Sequence, residues 1–218
     1  YLRRQPTPFS PPPFRKDVFM SIVLNVIHPG SSILMSDTRR VHEDATGFHV
    51  VSESTEKIFS LSDTVAVGFT GDYPFALALL RVIVAVNTAT KKFSDVVARL
   101  LYKKALELSP HFSDVQFVVT GLTSFGEIAS YTVQGTKEYE FKEYLLNESG
   151  NVACISLYNK DLGNTLVDKV SALIGAKSRA GETITSMDIA RCMAGYIKFV
   201  ATQDRTVNDK IQIIQILP

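Results

Sequence analysis

The chain lacks any apolar run approaching the roughly 20 residues needed to cross a bilayer. Its most apolar helical stretch, 76–86, is interrupted by Arg81. It also lacks a charge bias: 23 basic and 22 acidic side chains leave a net charge of +1, which gives no electrostatic reason to invoke nucleic acid or a membrane surface as partner. Cysteine is scarce. Cys154 and Cys192 stand at neither metal nor redox spacing, so they are expected as reduced core thiols of a cytoplasmic or nuclear protein. His42 and His49 fall in a polar stretch with no second cluster to offer metal partners, and neither a metal nor a cofactor is expected. Residues 1–19 lack the apolar centre of a signal peptide. They hold Pro6, Pro8, Pro11, Pro12 and Pro13 with Arg3, Arg4, Arg15 and Lys16, the composition of an extended arm. Phe9, Phe14 and Phe19 either anchor that arm on a neighbouring subunit or are incidental in a linker.

What remains, residues 20–218, is 199 positions by difference and long enough for one large domain with a substantial core. It is organised around 21–39. Two apolar runs flank His28-Pro29-Gly30 and end in Asp37 and Arg39, which predicts a hairpin that returns Asp37 to the start of its first strand. If Ser21 is the first residue of the mature chain, its hydroxyl and its free α-amine lie near Asp37, and the amine can act as base for the hydroxyl. That is the chemistry of an N-terminal nucleophile hydrolase. A second strand pair, 55–61 and 63–72, is opened by Lys57 and closed by Gly71.

Further along, 40–47 is polar and predicts a surface loop. Helices are expected at 73–86 with Asp72 as N-cap and at 94–108 with Ser94 as N-cap. Strands follow at 115–119 and 128–133 across the turn 124–127, then at 139–146. The period over 151–174 predicts a helix, 175–182 a loop, 185–202 a helix capped by Thr185, and 210–217 a closing strand. No internal repeat is present. This order suits two sheets covered by helices on their outer faces.

The Ser21-led strand, Asp37-Thr38-Arg39, the Lys57-Ile58-Phe59 segment and Val67-Gly68-Phe69-Thr70-Gly71-Asp72 together resemble the β-type subunits of the proteasome core particle and their bacterial relatives, over about 20–217. The resemblance implies an α+β fold, the four-layer αββα sandwich of N-terminal nucleophile hydrolases. It implies assembly with other α- and β-type subunits in stacked rings, and intracellular degradation of unfolded polypeptides in the cytoplasm, or also the nucleus in a eukaryote. It assigns Asp37 and the pKa-lowering Lys57 to the site, Gly71 to the oxyanion hole, and Ser149 and Asp204 to the supporting polar network. The chain departs from the pattern at Ser21, which replaces threonine and follows Phe19-Met20 instead of glycine. It departs again at Glu148, at Val207 where a serine is expected, and in a connection after Arg39 that is longer by about four residues. Phe69 would line the pocket for a substrate side chain, with Arg40 near its mouth. With the extension retained, Ser21 has no free amine and the set is vestigial, which points to a structural, non-catalytic β subunit. With Met20 as initiator and then removed, Ser21 becomes the nucleophile of an active peptidase. A scaffold that keeps only the fold is the third reading.

Overall fold

The computed structural model describes residues 21–85, 90–108, 115–135, 139–146, 152–158, 162–163 and 165–217. The N-terminal arm expected at 1–19 lies outside them. The fold is mixed α and β with several sheets. Strands β1 (Val23–His28) and β2 (Ser31–Asp37) form the expected hairpin, turning at Pro29 and at Gly30 with its φ of 81°. Both strands are buried along their whole length. A two-stranded ribbon follows, β3 (Arg40–Asp44) and β4 (Gly47–Ser52), where a loop was expected. Then come β5 (Ile58–Ser60) and β6 (Val65–Gly71).

Helix α1 (Tyr73–Val84) starts as the sequence predicts, with the Asp72 carboxylate accepting from the Phe75 N–H at 2.9 Å. Helix α2 (Ser94–Leu108) also matches, but the Ser94 hydroxyl donates to the Gly121 carbonyl. Strands β7 (Val115–Leu122), β8 (Ile128–Gly135) and β9 (Tyr139–Leu145) run as an antiparallel meander. The helix expected over 151–174 is corrected. Its first part is a strand, β10 (Ala153–Ser156), and α3 (Leu166–Arg179) begins later and runs on into the predicted loop 175–182, ending at Arg179. Helix α4 (Ser186–Gln203) and strand β11 (Ile211–Ile216) complete the chain. Thr165 and Thr185 both cap by reciprocal bonds with an aspartate three residues on.

One sheet has the order β10-β1-β2-β11, the other β5-β6-β7-β8-β9. Alternation along the strands builds three cores. Val67, Phe69, Phe117, Val119 and Tyr131 pack under α1 and α2. Leu24, Val26, Ile33 and Met35 pack under α3 and α4. The third cluster joins sheet to sheet through Val23, Leu34, Ile58, Ala66 and Val118. Close approach there needs Gly68, since a Cβ at that position would lie 2.8 Å from Val23 Cγ1 and 3.0 Å from Ile58 Cγ2. Beside this cluster four polar side chains close a ring. Asn25 donates to Ser32 at 2.8 Å, Ser32 meets Thr120 at 2.6 Å, Thr120 meets Ser130 at 2.6 Å, and Ser130 donates back to the Asn25 oxygen at 2.6 Å. All four are fully buried, and the ring spares each the 1–3 kcal/mol or so of an unmade buried hydrogen bond.

Candidate functional site

The hairpin delivers Asp37 where the sequence predicts. Its backbone N–H reaches the Ile22 carbonyl at 3.3 Å, and in return the Ile22 N–H donates to Asp37 Oδ1 at 3.2 Å. Lys57 enters from just before β5 and places Nζ on that same Oδ1 at 2.6 Å. Two donors therefore converge on one carboxylate oxygen, and Ser21, half-buried, is a single residue from one of them. Both side chains of the ion pair are excluded from water, 3% and 0% exposed. Burial pushes the Lys57 ammonium below the ordinary lysine value, and the Asp37 carboxylate opposes that push. An ammonium that gives up its proton more readily than usual is suited to assist a proton transfer.

The other oxygen of Asp37 is held as well. Oδ2 accepts from the Arg39 N–H at 3.0 Å and from the Asn208 N–H at 3.4 Å. Asn208 belongs to the turn between α4 and β11, so that turn, the end of β2 and the start of β5 all meet at this carboxylate. Its side chain accepts from the Thr38 N–H at 3.0 Å and donates to Glu53 Oε2 at 2.7 Å. Arg39 grips the Glu53 carboxylate through Nε at 3.0 and 3.2 Å. The Asn208 amide, and then the Arg39 guanidinium, hold the Glu53 carboxyl below its usual value.

Gly71, the expected oxyanion donor, is the last residue of β6 and has a φ of 98°, a conformation that favours glycine. The strand carrying it is tied to the lysine, since the Phe69 N–H donates to the Lys57 carbonyl at 3.1 Å. Asp204 is the C-cap residue of α4 and is buried. It accepts from the Thr206 N–H and hydroxyl at 2.9 and 2.6 Å and from the Tyr158 hydroxyl at 2.9 Å, and so braces the turn that carries Asn208. Thr206 thus serves Asp204 with a hydroxyl one position before Val207, which is buried among apolar groups. Ser149 lies outside the described residues.

Phe69 faces α1 and α2, 2% exposed, with its ring against Phe59, Tyr73 and Phe117, which makes it a core side chain. The Arg40 guanidinium stands 4.9 Å over the ring of Tyr73. An apolar cavity of about 380 Å³ between β5 and α1, lined by Phe59, Leu77, Leu80 and Val84, shares no lining residue with the ion pair. Among the described residues no group of histidine, cysteine and carboxylate side chains could hold a metal ion, and no helix is long and apolar enough to cross a membrane. Both cysteines are free thiols, that of Cys154 pushed up to about 11 by burial and that of Cys192 also raised, which suits an unreactive core role.

Sequence reasoning missed Asn208 and Glu53. The only signal was a polar run, Asp204 to Asp209, interrupted by Val207. No model of a known protein family matches the chain, and no curated protein matches it.

Proposed function

We propose that the chain is a β-type subunit of a proteasome-like core particle, with the four-layer αββα sandwich of N-terminal nucleophile hydrolases, and that Ser21 is its nucleophile once it stands first in the chain. The three cores described above, helix on sheet, sheet on sheet and sheet on helix, support the layered architecture. The observation that carries the activity is the convergence of the Ile22 N–H and Lys57 Nζ on Asp37 Oδ1, one residue from Ser21. A fully buried ion pair is a poor source of stability, because desolvation cancels most of its attraction. A buried pair of this kind, bonded to the residue that follows Ser21, supports a chemical role. The free α-amine of Ser21 takes the hydroxyl proton, Oγ attacks a peptide carbonyl, and the Gly71 amide receives the developing oxyanion. Collapse expels the amine product with that proton and leaves an ester on Ser21, which water then hydrolyses. Unfolded polypeptide is the substrate, and other α- and β-type subunits in stacked rings are the partners.

A second reading, a structural subunit that keeps residues preceding Ser21, is favoured by Val207, which offers no hydroxyl to the polar network. Intact mass and N-terminal sequencing of the protein isolated from its natural assembly separate the two. A chain beginning at Ser21, with peptidase activity abolished in Ser21→Ala, supports the active reading. Retention of residues ahead of Ser21 in the assembled particle overturns it and leaves the structural subunit. Sedimentation as a stable monomer would sink both.

A further inference from the structure

We propose that Asn208 and Glu53 are positioning residues for Asp37. This rests on the reading of Ser21, Asp37 and Lys57 as a working site.

The contacts form a closed loop. Asp37 Oδ2 accepts from Arg39 N–H, Arg39 Nε holds Glu53, Glu53 Oε2 takes the Asn208 amide, and the Asn208 N–H returns to Asp37 Oδ2. The loop fastens the exit of β4 and the turn after α4 to the end of β2. A carboxylate rotates about its last bond unless both oxygens are held. Here Oδ2 is fixed by two backbone amides, and that leaves Oδ1 aimed at Lys57. One of the two amides is only as well placed as Asn208 itself, and Asn208 is placed by its side chain, through the Thr38 N–H on one side and Glu53 on the other. The Arg39 Nη1 adds a bond to the Val207 carbonyl at 3.3 Å, so the turn is gripped at two successive residues.

Magnitudes separate a positioning role from a structural one. The Arg39–Glu53 pair is partly exposed, 23% and 41%, and pairs of that kind contribute little to stability. Losing it should leave a folded protein. A site whose reacting groups drift by about 1 Å loses on the order of a hundredfold in rate, and outer contacts that orient a reactive group are commonly worth ten- to a hundredfold. The expected signature is a stable protein with a slow site.

The test uses the assembled protein with Ser21 at its N-terminus, and compares wild type with Asn208→Ala, Glu53→Ala and Glu53→Gln. In Asn208→Ala and Glu53→Ala, kcat for a short fluorogenic peptide should fall by about ten- to a hundredfold with KM within about twofold. The pH at which kcat is half-maximal should shift, because Lys57 no longer faces a fixed carboxylate. Glu53→Gln, which keeps an acceptor for the Asn208 amide, should recover most of the rate. Crystal structures of wild type and Asn208→Ala should show the Asp37 carboxylate rotated and Oδ1 withdrawn from Lys57 in the variant, a readout that needs no activity. Unchanged kcat and pH profile, or an unmoved Asp37, would overturn the proposal. If Ser21→Ala leaves hydrolysis at the wild-type rate, it is the catalytic reading that fails, and the crystal structures still decide whether Asn208 and Glu53 hold Asp37.

Discussion

The two ends of the first hairpin are both buried and both polar, yet they are built on opposite principles. At the open end, Asp37 and Lys57 form an ion pair, and the residue after Ser21 donates its N–H to the carboxylate. At the turn, the ring of His28 lies between two hydroxyls, Nε2 being 2.7 Å from Ser31 Oγ and 3.0 Å from Ser186 Oγ. Burial holds the His28 imidazole below its ordinary value and so favours the neutral ring. A neutral cluster ties α4 to the hairpin at low cost, because nothing charged loses its water. The open end carries a cost that a purely structural contact would avoid. The difference teaches where to look for chemistry in this fold: at the group whose burial is expensive, more than at the imidazole and serines that superficially look like catalytic parts.

The strongest way to break the comparison is to remove one charge. Asp37→Ala strands the Lys57 ammonium and should cost about 3–5 kcal/mol in urea unfolding. The double variant Asp37→Leu with Lys57→Met removes the stranded charge but still leaves the Ile22, Arg39 and Asn208 N–H groups without their acceptor, so it should regain only part of that stability. A double variant as unstable as Asp37→Ala would mean that the cost lies in those amides and not in the charge. Next in size is the polar ring between the sheets. Asn25→Leu leaves Ser32 and Ser130 without their partner and should cost about 1–3 kcal/mol. Thr132 provides the contrast, since its hydroxyl is the buried side-chain group left without a hydrogen bond among the described residues. Thr132→Val should be neutral or stabilising by up to about 1 kcal/mol. At the turn end, Ser186→Ala removes neutral contacts to His28 and Ser31 at a partly exposed position, and should cost about 1 kcal/mol.

The smallest effect is one of pH. The folded value of His28 lies below the 6.5 of the unfolded chain, so the unfolded state binds more protons in the window below 6.5. Stability from this group is present above that window and is lost as pH falls through it. Thermal melts taken between about pH 7.5 and about pH 5.5 should show Tm falling on acidification, and the fall should be shallower in His28→Gln. Equal slopes in the two proteins would assign the acid sensitivity elsewhere.

The hairpin, α1 and α4 could be read in advance because their signals are local. Pro29-Gly30 marks the turn, Asp72 precedes the first turn of α1, and Thr185 with Asp188 forms a capping pair. The ribbon β3–β4 could not, because β4 is half-exposed or exposed along its length and so carries no apolar alternation. Strand β10 was misread because its four residues are too few to separate a period of 2 from one of 3.6. The same division runs through the site. Asp37 and Lys57 stood out as charges at the borders of apolar strands, and the structure brings them together. Asn208 acts through its own backbone amide and through partners 155 and 170 residues away, and no spacing along the chain announces that.

The four-membered ring of Asn25, Ser32, Thr120 and Ser130 has a direction. The Asn25 amide nitrogen can only donate and its oxygen can only accept, so the three hydroxyls between them must all point the same way round. Slide one sheet past the other by two residues and Val23 or Ile27, on the same face of β1 as Asn25, arrives opposite those hydroxyls, with nothing to start or end the relay. The two sheets are therefore keyed to one another, as cogs are: relative shear either leaves the key engaged or breaks together the two bonds that cross between the sheets, Ser32 to Thr120 and Ser130 to Asn25. Asp37 ends a strand of one sheet while Lys57 precedes a strand of the other and Gly71 ends its neighbour, so such a key keeps these residues in step.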